Sequence, residues 1–225
     1  MTERPILFSA PMVRALLDGR KTQTRRVVKL AVPTDADEVF FWSGEDLRRK
    51  GWKNVSEPGL WARRNGRDGY ISFIGRCPYG VPGDRLWVKE TYRFGGDWTE
   101  KLKPTDCEGA AIMYPATERP VSEWGKLRPS IHMPRWASRL TLAITDVRVQ
   151  RLQDISEADA EAEGVREPSL PPIHMVSAEA CGQVDRQKAP AEFLWRFLWT
   201  GINGPESWDA NPWVWAVTFE VERQP

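Results

Sequence analysis

PILFSAPMVRALLDGRKTQTRRVVK, residues 5–29, is the stretch on which the reading of this chain turns. Ile6, Leu7 and Phe8 form a short apolar run that suits a strand. Ser9 is a helix-capping residue, and Pro11 fits a first helical turn. Met12, Val13, Leu16 and Leu17 then fall at helical spacing, and Gly19 is a natural stop. Thr22 to Lys29 reads as a second extended segment, with Val27 and Val28 apolar. The link between helix and strand is Gly19-Arg20-Lys21-Thr22-Gln23-Thr24-Arg25-Arg26, where cations and hydroxyls alternate just after a turn. Such a run suits two chemistries. It can hold a phosphate or a nucleobase, or it can present a hydroxyl nucleophile beside an amine.

Further along, Tyr70–Ile74 and Arg85–Tyr92 read as strands, separated by the turn cluster Pro78, Gly80, Pro82 and Gly83. Asp84 reads as a turn former. Ala110–Tyr114 is a further short strand. Across Arg139–Leu152, Leu140, Leu142 and Ile144 alternate with polar or small residues, which is strand periodicity. Ser156-Glu157-Ala158-Asp159 has the form of a capping box and opens a short helix that Gly164 stops. Ala191–Ile202 is an apolar-faced helix, and Trp213, Trp215, Val217, Phe219 and Val221 alternate along a closing strand. Many strands, few helices and clustered turns predict an α+β fold on a small mixed or antiparallel barrel. The chain reads as one domain with insertions at about 31–68, 93–135 and 165–188. The first is polar and shows no clear period, with one helical turn expected near Glu45–Lys50, and the last reads as a flexible loop.

The 225 residues carry a net charge of +1, so this is no polycation. The charge is uneven, however. Arg4, Arg14, Arg20, Lys21, Arg25, Arg26 and Lys29 stand against Glu3 and Asp18 in the first 29 residues. Residues 154–167 are as strongly acidic. A local basic patch can serve an anionic ligand at zero total charge. Cys77, Cys107 and Cys181 are widely spaced and odd in number, which predicts free thiols and a reducing, cytoplasmic setting. No apolar run approaches membrane-spanning length, and the first residues lack a signal-peptide apolar region. The two histidines and scattered cysteines show no metal-ligand spacing. Most of the 12 tryptophans are expected in the core, with others available for stacking on bases.

In order, these elements resemble the ASCH domain: a strand, a short helix, Gly-x-Lys-x-x-Thr-x-Arg, a Pro-Gly-Asp turn into a strand, a Ser-Glu-Ala-Asp-Ala helix and a final aromatic strand. The resemblance covers segments 5–29, 70–92, 138–165 and 190–222. Cys77-Pro78-Tyr79-Gly80 and the Trp-rich tail are similar to the longer members found in phages and prophages. It implies a PUA-like β-barrel associated with RNA. One branch of that family consists of N(4)-acetylcytidine amidohydrolases, which need no cofactor and use a Lys, a Thr and a Glu. Residue by residue, the resemblance implies Lys21 as base, Thr24 as nucleophile and Glu163 as acid/base on the leaving amine. Gln23 and Arg25 stand where those compact enzymes have apolar residues, and this chain is much longer.

Lys21 can act as a base only if burial or neighbouring positive charge lowers its pKa, and Arg20, Arg25 and Arg26 are placed to contribute. Lys21 and Thr24 are three residues apart, so a regular strand would aim them at opposite faces. Their convergence requires a bend after Gly19. Gly19, Arg20, Arg26, Trp87 and Glu90 are the candidate substrate-binding residues, with Arg93 or a site residue as partners for Glu90. The expected ligand is an acylated cytosine base or nucleoside, either free or within RNA. Two alternatives stand beside the amidohydrolase: a non-catalytic module for RNA or a modified base, and an ASCH-type ribonuclease.

Overall fold

The computed structural model describes residues 1–33, 36–42, 46, 49, 58–64, 71–95, 103–119, 124–168, 170, 174–176, 181–183, 185 and 187–223. Strand-forming alternation recurs in five distant segments, and these pair into one sheet. They are β1 (Glu3–Leu7), β2 (Gln23–Val27), β6 (Arg85–Lys89), β9 (Leu140–Arg151) and β12 (Trp213–Arg223), in the order β1-β6-β9-β12-β2. β1 and β6 run parallel, and the other neighbours are antiparallel. β12 is central, registering on β9 from Trp213↔Arg151 to Arg223↔Leu140 with one bulge after Thr218. Both of its faces are covered. Trp215, Val217 and Phe219 enter the main core with Ile6, Val13, Leu16, Leu86, Leu142 and Ile144. Val214, on the opposite face, packs with Leu194, Trp195 and Trp199 in a second core.

Helices pack with the strands in a mixed α+β fold dominated, among the described residues, by sheet. α1 (Ala10–Leu17) buries Met12, Val13, Ala15 and Leu16, the stripe its sequence predicts, with Pro11 in the first turn. α2 (Glu157–Ala162) begins at Ser156, whose hydroxyl accepts the Asp159 N–H. α3 (Ala191–Asn203) buries Ala191, Leu194, Trp195 and Trp199. No helix among the described residues is long and apolar enough to cross a membrane.

The ladders do not close into a barrel. β1 and β2 are the two edges of the sheet, and among the described residues no ladder joins them. Instead Arg26 Nη2 donates to the Leu7 carbonyl at 2.7 Å, so the edges approach without pairing. Along the other side of β2, Phe219 N–H donates to Thr22 O and Val28 N–H donates to Trp213 O. Antiparallel alternation then leaves the main-chain N–H and C=O of Arg25 on the open side of β2.

Three expectations need correction. Residues 31–68 are not an unpatterned insertion. β3 (Ala36–Trp42) and β4 (Gly59–Arg64) pair there, and β4 continues the sheet to β5 (Ile71–Gly75). Val39, Leu60 and Ala62 join the main core, and Phe41 meets Trp215 edge-on at 6.1 Å. The alternation Val39, Phe41 against Glu38, Phe40 was hidden by aromatic residues on both faces of β3. The helical turn read near Glu45–Lys50 lies largely outside the described residues. Residues 165–188 are not loop throughout, since β10 (His174–Val176) pairs antiparallel with β11 (Cys181–Gln183). In the middle insertion β7 (Arg93–Phe94) and β8 (Ile112–Met113) pair antiparallel beside a small core of Tyr92, Phe94, Cys107, Met133 and Ala137. Asp84 is more than a turn former. It accepts from the Thr2 N–H and hydroxyl, both at 2.7 Å, and from Arg4 at 2.8 Å, and so ties the start of the chain to β6.

Candidate active site

The chain leaves α1 through Gly19, whose φ of +71° is a left-handed conformation that glycine adopts at little cost. The N–H groups of Arg20 and Lys21 both return to the Ala15 carbonyl, which folds the connection tightly under the helix. Lys21 therefore precedes β2 rather than lying on it, and the strand-parity objection to its meeting Thr24 disappears. Thr22 N–H donates to the Ala162 carbonyl, which docks this turn on the end of α2. Glu163 is the C-cap of α2, and Gly164 follows at φ +78°. A Cβ on Gly164 would stand 3.1 Å from Ala15 Cβ and 3.2 Å from Lys21 Cβ. Glycine here permits both the turn and the close approach of Lys21.

Lys21, Thr24 and Glu163 all line one cavity of about 220 Å³, and they are 1%, 3% and 2% exposed. Lys21 Nζ donates to Glu163 Oε2 at 2.7 Å and to the Glu163 main-chain carbonyl at 2.8 Å. The second bond satisfies a carbonyl that the end of α2 would otherwise leave unpaired. Phe8 lies beneath, its ring centre 5.6 Å from Lys21 Nζ and 5.4 Å from Arg26 Cζ. Burial lowers the Lys21 pKa. The Glu163 charge and hydrogen bond oppose that shift, and Arg26 and Arg25 reinforce it. Among the described residues the Thr24 hydroxyl has no hydrogen-bond partner, although Thr24 is anchored on β2 opposite Val217. A buried amine of lowered basicity and an uncommitted hydroxyl thus share one cavity with a carboxylate.

Behind them lies a polar network in which Arg25 is central. Its side chain is fully buried, with Nη2 on Asp159 Oδ2 at 3.0 Å and Nη1 facing Glu163 Oε1 at 3.4 Å. Nη1 also donates to the Gln23 side-chain carbonyl. Gln23 Nε2 reaches Asp159 at 3.1 Å and Thr218 at 3.2 Å, and Arg148 reaches Asp159 at 3.2 Å. Burial works to raise the Asp159 pKa, but the Gln23 hydrogen bond and the Arg25 and Arg148 charges outweigh it and lower it. One guanidinium therefore grips α2 near its start, at Asp159, and at its end, at Glu163. The other acidic residues of α2 face elsewhere. Glu157 accepts the Ala191 and Glu192 N–H groups at the start of α3, and Glu161 pairs with Arg166 at 3.0 Å.

Of the candidate binding residues, only Arg26 lines the cavity. Arg20 turns outward to Asp18 at 2.6 Å and to buried Glu167, because the Gly19 turn sends residues 20 and 21 to opposite sides. Gly19 lines a separate depression with Leu17, Thr22 and Glu220. Trp87 is half-buried on the face of β6 away from Leu86 and Val88, under Lys89. Glu90 is buried in a two-pronged pair with Arg139, at 2.8 and 2.9 Å, not with Arg93 or with a residue of the cavity. The sequence reading missed the opposite wall. Trp195, Leu198, Trp199, Ile202 and Asn203 of α3 line the cavity, as do Phe8, Ser9 and Met12. The signal was the spacing 195, 198, 199 and 202, which read equally well as a core stripe. Comparison of the chain with family models, with curated proteins and with solved structures returns no match.

Proposed function

We propose that this chain is an ASCH-domain protein of PUA-like architecture, open along one seam, and that it removes the acyl group from the exocyclic amine of N(4)-acylated cytosine or cytidine. One arrangement carries the reading: Lys21, Thr24 and Glu163, far apart in sequence, line the same cavity, with Lys21 buried and its pKa lowered. A lysine in this state gives up its proton more readily than an ordinary exposed lysine, which suits it to act as a base.

In this mechanism Lys21 Nζ, having first shed its own proton to solvent, takes the proton of Thr24 Oγ as that oxygen attacks the acyl carbon. The C–N bond of the tetrahedral intermediate then breaks. The proton moves from Lys21 through Glu163, its partner at 2.7 Å, to the departing exocyclic nitrogen. Cytosine leaves as the free amine, and Thr24 carries the acyl ester. Water attacks that ester and gives one proton to Lys21. The acid departs, and the proton returns to Thr24 Oγ. Arg25 Nε and Arg26 Nε are buried with no partner among the described residues, and both side chains line the cavity, so they add positive charge to its wall.

The test is incubation with N(4)-acetylcytidine and chromatography for cytidine. Thr24→Ala is expected to abolish turnover and retain base binding, since the hydroxyl acts mainly in the transition state. Lys21→Ala should be inactive, and Lys21→Arg should not restore activity, because arginine keeps its proton at working pH. A wild type that hydrolyses no acylated cytidine, yet binds RNA in a salt-dependent manner and tolerates Lys21→Arg, would replace this reading with that of a binding module.

A further inference from the structure

The cavity has two unlike walls. On one stand Lys21, Thr24, Arg25, Arg26 and Glu163, which carry all the charge. Across from them α3 presents Trp195, Leu198, Trp199 and Ile202. Their spacing of three, four and seven residues puts them on one helix face. Several polar atoms of this part of α3 are engaged within the chain, while Trp195 Nε1 is buried with no partner among the described residues. Thr200 Oγ1 donates to Arg196 O, Asn203 Nδ2 to Trp199 O, and Trp199 Nε1 to Ser207 O. Apart from the Trp195 N–H and the Asn203 amide, the α3 wall is apolar. The charged wall, by contrast, holds the groups that a base and its leaving nitrogen require.

Exposure along the stripe is graded. Trp195 and Trp199 are each 3% exposed, Leu198 is half-buried, and Ile202 is 65% exposed. From Trp195 to Ile202 the helix rises roughly 10 Å. Within the cavity lining that includes Thr24, an apolar strip thus runs along α3 from buried Trp195 to exposed Ile202. In the mechanism above, the leaving base must lie toward Glu163, so the substituent on the acyl carbon points away from it. Building on that reading, we infer that the α3 wall is the acyl subsite, and that the protein favours N(4)-acyl groups bearing a hydrocarbon chain over acetyl.

The experiment compares kcat/KM for N(4)-acetyl-, N(4)-butyryl-, N(4)-hexanoyl- and N(4)-octanoylcytidine, with cytidine release as the readout. While the growing chain stays on the strip, kcat/KM should rise by roughly threefold to fourfold per CH₂. Ile202→Asp, at an exposed position where folding is not at issue, should lower the octanoyl-to-acetyl ratio at least about tenfold, as expected from the loss of two or more methylene contacts. Circular dichroism checks that the variant is folded. If acetylcytidine is hydrolysed but kcat/KM is flat or falls with chain length, the acyl-subsite inference is wrong and the amidohydrolase reading stands. A ratio unchanged in Ile202→Asp also overturns the inference. If no homologue is hydrolysed, both fail together.

Discussion

Glu163→Leu tests the buried pair at the centre of the site. The substitution leaves the Lys21 ammonium, 1% exposed, with only the main-chain carbonyl of residue 163 as its partner. Arg25 is less affected, since it keeps Asp159 at 3.0 Å. Removing one member of a buried pair typically costs about 3–5 kcal/mol. Lys21→Met/Glu163→Leu should recover most of that loss, because a packed apolar pair orphans no charge. The assay is urea unfolding followed by tryptophan fluorescence, for the two single variants and the double. The coupling between the two sites should be about 2 kcal/mol or more. The pH dependence gives a second handle. Without Glu163, the Lys21 pKa in the folded state falls further below its ordinary 10.5, while the unfolded chain still binds that proton. Stability of Glu163→Leu must then rise with pH toward 10.5, by at most about 1.4 kcal/mol per unit. Additive single effects, with Glu163→Leu costing under about 1 kcal/mol, would refute the pairing.

Two more perturbations follow from the same contacts. Gly164→Ala pays about 1–2 kcal/mol for a side chain at φ +78° and also pushes on Lys21, so activity should fall roughly a hundredfold if Lys21 moves by about 1 Å. Gly109→Ala, at φ +86° with open space around it, is the control, and an equal effect of both substitutions on turnover would remove the positioning argument. Asp84 is subject to burial, which raises its pKa, but the hydrogen bonds from Thr2 and Arg4 prevail and hold it at about 2 against an ordinary 3.8. Its stabilisation, about 2 kcal/mol, is therefore complete above pH 4 and is lost as pH falls toward 2. Asp84→Asn should show the deficit at pH 7 and a shrinking one across that window, measured by thermal melts; a constant deficit would count against it.

The strands of the main sheet were legible because each carries an alternation that only one face of a sheet satisfies, as in Leu140, Leu142 and Ile144. The α1 boundaries were legible from Ser9, Pro11 and Gly19, each a residue with a local conformational preference. β3 was not, because Phe40 and Trp42 put aromatic rings on its second face and erase the polar half of the pattern. The site divides in the same way. Lys21, Thr24 and Glu163 came from motif order, but Arg25 was seen only as a source of field. Its grip on Asp159 and Glu163 depends on packing between segments more than a hundred residues apart. Glu90 and Trp87 were misplaced because a buried charge and a strand tryptophan look alike whether they serve a cavity or a core. The apolar wall of α3 was hidden for the same reason.

The seam between β1 and β2 also bears on how the molecule avoids its own copies. An unpaired strand edge is a template for self-association, since another chain can add its own strand to the vacant row of hydrogen-bonding groups. β2 is only five residues long and carries adjacent arginines, and α3 packs over Val27 while Arg26 reaches across to Leu7. The helix that walls the cavity is thus also a guard on the strand beside it. Damage to α3 would remove the cavity's apolar side and at the same time expose a sticky edge, so variants there should lose solubility together with ligand binding.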